Sequence, residues 1–158
     1  MKKAKVLFIC TGNSARSQMS EGLLRKMAGD ITDVYSAGTK PSEKVNPFAL
    51  KMLSDSGIDT SGHYTKSVTE FLDKEFDIII TVCDNARQNC PVFPGKAVKY
   101  HWNLEDPASV EGTEEEKLEV FRNTFADISK RVSELIDMIK NMPKKKEKSG
   151  EKDLGINL

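Results

Sequence analysis

Cysteine and histidine are scarce, with three of the first and two of the second in 158 residues. An odd count of thiols without a secreted context argues against a disulfide framework and reads as reactive thiols. Three thiols without a suitably spaced histidine also fall short of a closed tetrahedral zinc site. Net charge is missing as well, because 24 basic residues face 24 acidic ones. That removes the broad basic field of a nucleic-acid binder. No hydrophobic run approaches bilayer-spanning length, and the apolar run ending at Ile9 is too short for a signal-peptide core. The expectation is a cytoplasmic protein without membrane attachment. No internal repeat is visible.

What is present fits one globular unit. Hydrophobic residues make up 38% and charged residues 30%, in a chain long enough to bury a full core. Apolar runs alternate with helical periodicity. Lys5–Ile9 reads as a first strand, followed by a helix from about Ala15 to Ala28 with Met19, Leu23, Leu24 and Met27 on one face. Asp33–Ala37 is a second strand. Asn46-Pro47 supplies a cap and a first-turn proline for a helix bearing Phe48, Ala49, Met52 and Leu53, which Gly57 stops. A short helix is expected over Val68–Leu72. Asp77–Val82 is a strand buried on both faces, and Ala97–Trp102 is a fourth strand. Between them, Cys83–Gly95 reads as a polar loop with a short helical piece.

Thr113 and Glu116 form a capping box for a long last helix carrying Leu118, Phe121, Phe125, Ile128, Val132, Leu135, Ile136 and Ile139. The expected fold is α/β, a single domain with a four-stranded parallel sheet and helices on both faces. The domain ends near Met142. Residues 143–158 hold five lysines, three acidic residues and two glycines, and read as a mobile charged tail.

In such sheets ligands sit at the carboxyl ends of strands. There Cys10 ends the first strand and Thr11, Gly12, Asn13, Ser14 and Ala15 form a turn, after which Arg16 and Ser17 open a helix. Successive loop amides and a helix N-terminus form an anion nest. Arg16 can clamp a tetrahedral oxyanion with two parallel bonds. The same positive surroundings are expected to lower the pKa of Cys10 and make it a thiolate nucleophile. Cys83 follows a second buried strand, so parallel pairing would bring both thiols to one sheet edge. Cys90 lies in the polar loop beyond it. A carboxyl in Glu105-Asp106-Pro107 could serve as a general acid or base over the same site. His63 reads as an exposed loop residue and His101 as a strand residue. Trp102 and Tyr35 read as packing groups.

With Cys10-x5-Arg16-Ser17, Cys83-x6-Cys90-Pro91, His101-Trp102 and Asp106-Pro107 together, the chain resembles the thioredoxin-coupled arsenate reductases. These share the fold of the low-molecular-weight protein tyrosine phosphatases. The resemblance covers Lys5 to about Ile139. It implies that Cys10 attacks arsenate held by the loop amides and Arg16, and that Asp106 protonates the departing oxygen. Cys83 then attacks Cys10 and releases arsenite, and Cys90 attacks Cys83, leaving a Cys83–Cys90 disulfide for thioredoxin. No metal or organic cofactor is implied.

Some members of the family hold potassium beside the loop, at positions matching Asn13, Glu21, Ser36 and an aspartate. Lys66 stands at the aspartate's place here, and its ammonium could neutralise Glu21 directly. The rival enzyme is a low-molecular-weight tyrosine phosphatase, which needs Cys10, Arg16 and Asp106 but neither Cys83 nor Cys90. The non-enzymatic rival is an oxyanion- or redox-sensing module.

Overall fold

Val6, Leu7, Phe8 and Ile9 are each without solvent exposure. A strand is buried at every position only when both faces of its sheet are covered. These residues belong to β1 (Ala4–Cys10) of the computed structural model, which describes residues 2–143. Strands β2 (Thr32–Gly38) and β3 (Ile78–Thr81) flank β1, and β4 (Val98–His101) lies outside β3. The order is β2-β1-β3-β4 and every pairing is parallel, as expected for an α/β sheet.

Helices α1 (Arg16–Ala28), α2 (Pro47–Asp55), α3 (Asp84–Gln88) and α4 (Glu114–Lys140) complete the fold. Short 3-10 turns occupy Val68–Phe71 and Pro107–Ser109. The five-residue α3 is the short helical piece expected within Cys83–Gly95. Among the described residues no helix is long and apolar enough to cross a membrane. Apart from Pro143, the tail read from the sequence lies outside the described residues.

Local chemistry explains the boundaries. Asn46 Oδ1 accepts from the N–H groups of Phe48 (2.8 Å) and Ala49 (3.4 Å), with Pro47 beside it, so α2 starts there. Gly57, with φ of 80°, turns the chain away after α2. The Thr113–Glu116 capping box opens α4. One expectation needs correction, because Met27 is 44% exposed. Each i+4 step along a helix advances the side chain about 40° around the axis. The row Met19, Leu23, Met27 therefore drifts out of the buried stripe, and Leu24 and Ala28 take its place.

Aromatic contacts tie the outer parts to the sheet. Phe48 of α2 meets Phe121 of α4 at 5.3 Å between ring centroids. Tyr35 packs against Phe71 and Phe76, each at 5.5 Å, and Phe76 packs against Phe93 at 5.6 Å. Trp102 packs on Phe8 at 5.5 Å. Tyr35 and Trp102 are thus packing groups, as the sequence suggested.

The register sets the functional edge. Cys10 aligns with Gly38, Ile9 with Thr81, and Thr81 with His101. The carboxyl ends of all four strands therefore finish together. If Asn46 anchors α2, Asn46→Ala should cost about 1 kcal/mol of stability. Urea unfolding of the two proteins checks this, and an unchanged midpoint would remove the cap from the account.

Candidate active site

Residues 10–15 leave β1 and curl into the start of α1. The loop's carbonyls are all engaged. Those of Cys10, Thr11, Gly12 and Ser14 accept from the backbone N–H groups of Thr39, Lys40, Ser42 and Asn46 at 2.8–3.0 Å. The carbonyl of Asn13 accepts from Gln18 Nε2 at 3.0 Å. In a trans peptide the next N–H points opposite to the carbonyl. Carbonyls drawn toward the segment after β2 therefore turn the following N–H groups to the inside of the loop. One of them, the Asn13 N–H, donates to Cys10 Sγ at 3.1 Å. This arrangement is compatible with the anion nest expected from the sequence.

Asn13 makes the curl possible. Its φ is 52°, in the left-handed region that asparagine tolerates better than most residues, and it is fully buried. Its Nδ2 donates to Ser17 Oγ (2.8 Å) and Ser36 Oγ (3.0 Å). Its Oδ1 accepts from Gln18 Nε2 (3.1 Å) and from the Lys66 N–H (2.9 Å). Gly38 lies directly beneath the loop, where an added Cβ would stand 2.5 Å from the Thr11 carbonyl oxygen and 3.0 Å from the Asn13 nitrogen.

Cys10 Sγ lies 2.8 Å from Ser17 Oγ and is buried. The expectation of a lowered pKa is not met. Burial pushes this thiol above its ordinary value, while the Ser17 hydroxyl, Arg16 and the Asn13 N–H pull it down without offsetting the loss of hydration. Position on a strand end says nothing of this desolvation, which is a property of the packed site. Arg16 Nη1 donates to the Leu104 carbonyl at 2.9 Å, and Nη2 stands 3.9 Å from Asp106 Oδ2. Asp106 thus reaches the loop from beyond β4. Its other oxygen accepts from the Ala108 N–H at 3.0 Å, which orients the carboxyl.

Cys83 is buried at the N-cap of α3. Thr11 Oγ1 lies 3.3 Å from Cys83 Sγ and donates to Asn85 Oδ1 at 3.1 Å. The hydroxyl thus bridges the loop of Cys10 to the cap of α3. Cys90 follows α3 and is half-buried, and burial pushes its pKa up against the opposing pull of Lys99. The three thiols are free.

Behind the loop lies a buried charge cluster. Glu21 faces Lys66 Nζ at 3.7 Å and Arg25 Nη2 at 2.6 Å, and it accepts from the Ser36 hydroxyl. Lys66 is 7% exposed, donates to the Tyr64 carbonyl at 2.9 Å, and lies over the Tyr64 ring. Burial holds its pKa down, and Glu21 opposes that shift. Asn13, Glu21, Ser36 and Lys66, grouped from the family pattern, thus come together with an ammonium among them.

Sequence reasoning misplaced His63. It is half-buried, and its Nδ1 lies 2.8 Å from Gln18 Oε1. Gln18 itself was missed, although a polar residue on the apolar face of a helix is a signal for such a link. Thr11, Thr39 and Asn85 also meet in a cluster that only folding creates.

A buried cysteine, an inward-facing amide loop and an arginine on a parallel sheet define an enzyme class that attacks tetrahedral oxyanions through a thiol. The chain belongs to the low molecular weight phosphotyrosine protein phosphatase family, whose model matches residues 5–148. Within that family it is similar to arsenate reductases. It is 43% identical over 132 residues to the arsenate reductase of Halalkalibacterium halodurans, covering 84% of this chain and 94% of the relative. A thioredoxin-dependent arsenate reductase from Corynebacterium glutamicum superposes with a TM-score of 0.69 at 31% identity, over 88% of this chain. This chain spans 63% of that longer protein. An arsenate reductase in its phosphate-binding state superposes with a TM-score of 0.70 at 33% identity, covering 88% and 99% of the two chains.

Two expectations follow. Ser17→Ala removes a group that lowers the Cys10 pKa, so the thiolate fraction at neutral pH should fall. Alkylation of Cys10 by iodoacetamide at pH 7 should slow severalfold, and an unchanged rate would take Ser17 out of thiol activation. If Lys66 supplies the cation behind the loop, melting temperatures should agree in sodium and potassium buffers of equal ionic strength. Lys66→Met leaves Glu21 with Arg25 alone and should cost about 1–3 kcal/mol. A strong potassium effect on the unmodified protein would overturn the assignment.

Proposed function

We propose that this chain is a thioredoxin-dependent arsenate reductase whose three cysteines act in sequence. The observation that carries this reading is the placement of two buried thiols at the ends of neighbouring strands, with Thr11 of the Cys10 loop 3.3 Å from Cys83 Sγ and a third thiol just beyond the short helix. A phosphatase needs only the first of them.

The loop amides and Arg16 hold arsenate, a tetrahedral oxyanion of the shape and charge of phosphate. The Cys10 thiolate attacks arsenic. Asp106 gives a proton to the departing oxygen, which leaves as water. The Cys83 thiolate next attacks Cys10 Sγ. The electron pair of the sulfur–arsenic bond passes to arsenic, which leaves as arsenite, and a Cys10–Cys83 disulfide remains. The Cys90 thiolate then attacks Cys83 Sγ and expels Cys10 as a thiolate. Thioredoxin's dithiol reduces the Cys83–Cys90 disulfide and restores the three thiols. Thr11, Gly12, Asn13, Ser14, Ala15 and Ser17 serve as the oxyanion loop in this scheme. A cycle that depends on reduced thiols belongs in the cytoplasm, where thiols are kept reduced.

Oxyanion attack and thiol relay separate by mutation. Cys10→Ser should abolish both arsenate reduction and hydrolysis of small aryl phosphates. Arg16→Lys should be severely impaired in both, because a point charge does not reproduce the planar clamp. Cys90→Ser should complete at most one turnover and stop with Cys10 linked to Cys83, which mass spectrometry of digests would identify. Repeated thioredoxin-coupled turnover by Cys90→Ser would sink the relay. An unmodified protein that never links Cys83 to Cys90 after arsenate would instead be a phosphatase.

A further inference from the structure

The relay makes one geometric demand on α3. Cys83 and Cys90 are seven positions apart and bracket the helix. Helical rise would hold their Cα atoms about 10 Å apart, whereas a disulfide needs less than about 7 Å. The helix must unwind when the disulfide passes to Cys90. The ends of the unwinding segment stay fixed. Val82 is fully buried and bonded to β1, and Phe93 is held by Phe76. Something must keep α3 wound until Cys83 has been used.

His101 has the contacts for that task. It ends β4, directly across from Thr81 of β3. Thr81 Oγ1 lies 2.8 Å from His101 Nδ1. With the hydroxyl donating there, the ring proton of the neutral imidazole sits on Nε2. Nε2 is buried, has no well-aligned hydrogen-bond partner, and faces Asp84 Oδ1 at 3.2 Å. Asp84 is the first residue of α3 and the neighbour of Cys83. The contact joins the helix that has to unwind to a strand of the sheet. The other group on this carboxylate, Arg87 at 3.1 Å, belongs to α3 itself and cannot tether it to the sheet.

We propose that His101 is a positioning residue for the relay, a latch that holds α3 wound through Asp84 and lets go when the disulfide moves to Cys90. This rests on the three-cysteine reading above. The contact is made in the wound, dithiol form and lost on unwinding, so it favours the reduced couple. Removing it should make the Cys83–Cys90 couple easier to oxidise and harder to reduce. It should also speed the exchange that releases Cys10.

The test is a redox titration of the Cys83–Cys90 couple in a Cys10→Ser background, against reduced and oxidised dithiothreitol. His101→Leu should shift the dithiol–disulfide equilibrium toward disulfide threefold to tenfold, which makes the potential about 15–30 mV more negative. Asp84→Ala, at a side chain 64% exposed, should give a similar shift and carries little folding risk. The double variant should add nothing further. His101→Gln, whose amide can reach Asp84, should recover part of the effect. Arg87→Gln should leave the equilibrium where it is. In chains retaining Cys10, quenched mass spectrometry should show a faster passage from Cys10–Cys83 to Cys83–Cys90 in His101→Leu. An equilibrium unchanged within twofold in Asp84→Ala overturns the latch, as does an Arg87→Gln shift equal to it. The titration uses no arsenate, so it decides the latch even if arsenate turnover fails and the relay reading falls.

Discussion

The buried side chain of Asn13 holds the oxyanion loop in its working shape. Its backbone adopts the left-handed conformation that closes the curl, and its amide bonds to Ser17, Ser36, Gln18 and the Lys66 backbone. The partners come from three parts of the chain: the start of α1, which supplies Ser17 and Gln18, strand β2, and the segment before the first 3-10 turn. A buried amide with both ends satisfied is stable, whereas a half-satisfied one is costly. The loop is therefore over-determined, and the inward-facing amides cannot relax toward solvent. Chain segments far apart in sequence thus fix one set of N–H directions before any oxyanion arrives, which is how preorganised electrostatic sites work.

Charge behind the loop is balanced without reaching the reacting face. Glu21 is buried, which would be costly for an unpaired carboxylate. Lys66 and Arg25 approach it from two directions, and the Ser36 hydroxyl adds a hydrogen bond. Ser36 also bonds Asn13, so the charge cluster and the loop share a member. The cationic Arg16 is left to face the other way, toward Leu104 and Asp106. Two positive groups thus do different work. Lys66 pairs with a buried acid, and in the proposed reaction Arg16 meets the substrate.

Cys10 and Cys83 are buried at the carboxyl ends of central strands, whereas Cys90 sits beyond a five-residue helix held by a few polar contacts. Short helices have little intrinsic stability. In the proposed relay, the thiol that performs oxyanion chemistry is built into the core, and the thiol that exports oxidation follows a short helix that costs little to remodel.

The sequence by itself determined the sheet and the reactive thiols. Runs such as Val6–Ile9 and Ile78–Thr81 carry period and burial locally, and caps such as Asn46 and Thr113 act within a turn, so they are legible without a fold. The spacing from Cys10 to Arg16 and from Cys83 to Cys90 was likewise complete in the chain. Tertiary structure decided the rest. The raised pKa of Cys10 comes from desolvation, which depends on everything packed around it. His63 lies in a loop as expected, but it is half-buried as a partner of Gln18 because the segment carrying it folds back onto α1. The Thr11–Asn85 link, across 74 positions, and the His101–Asp84 contact, across two strands of the sheet, depend on strand register that no local pattern encodes. Local physics writes the elements and the reactive atoms into the sequence. Long-range packing alone sets their protonation, orientation and freedom to move.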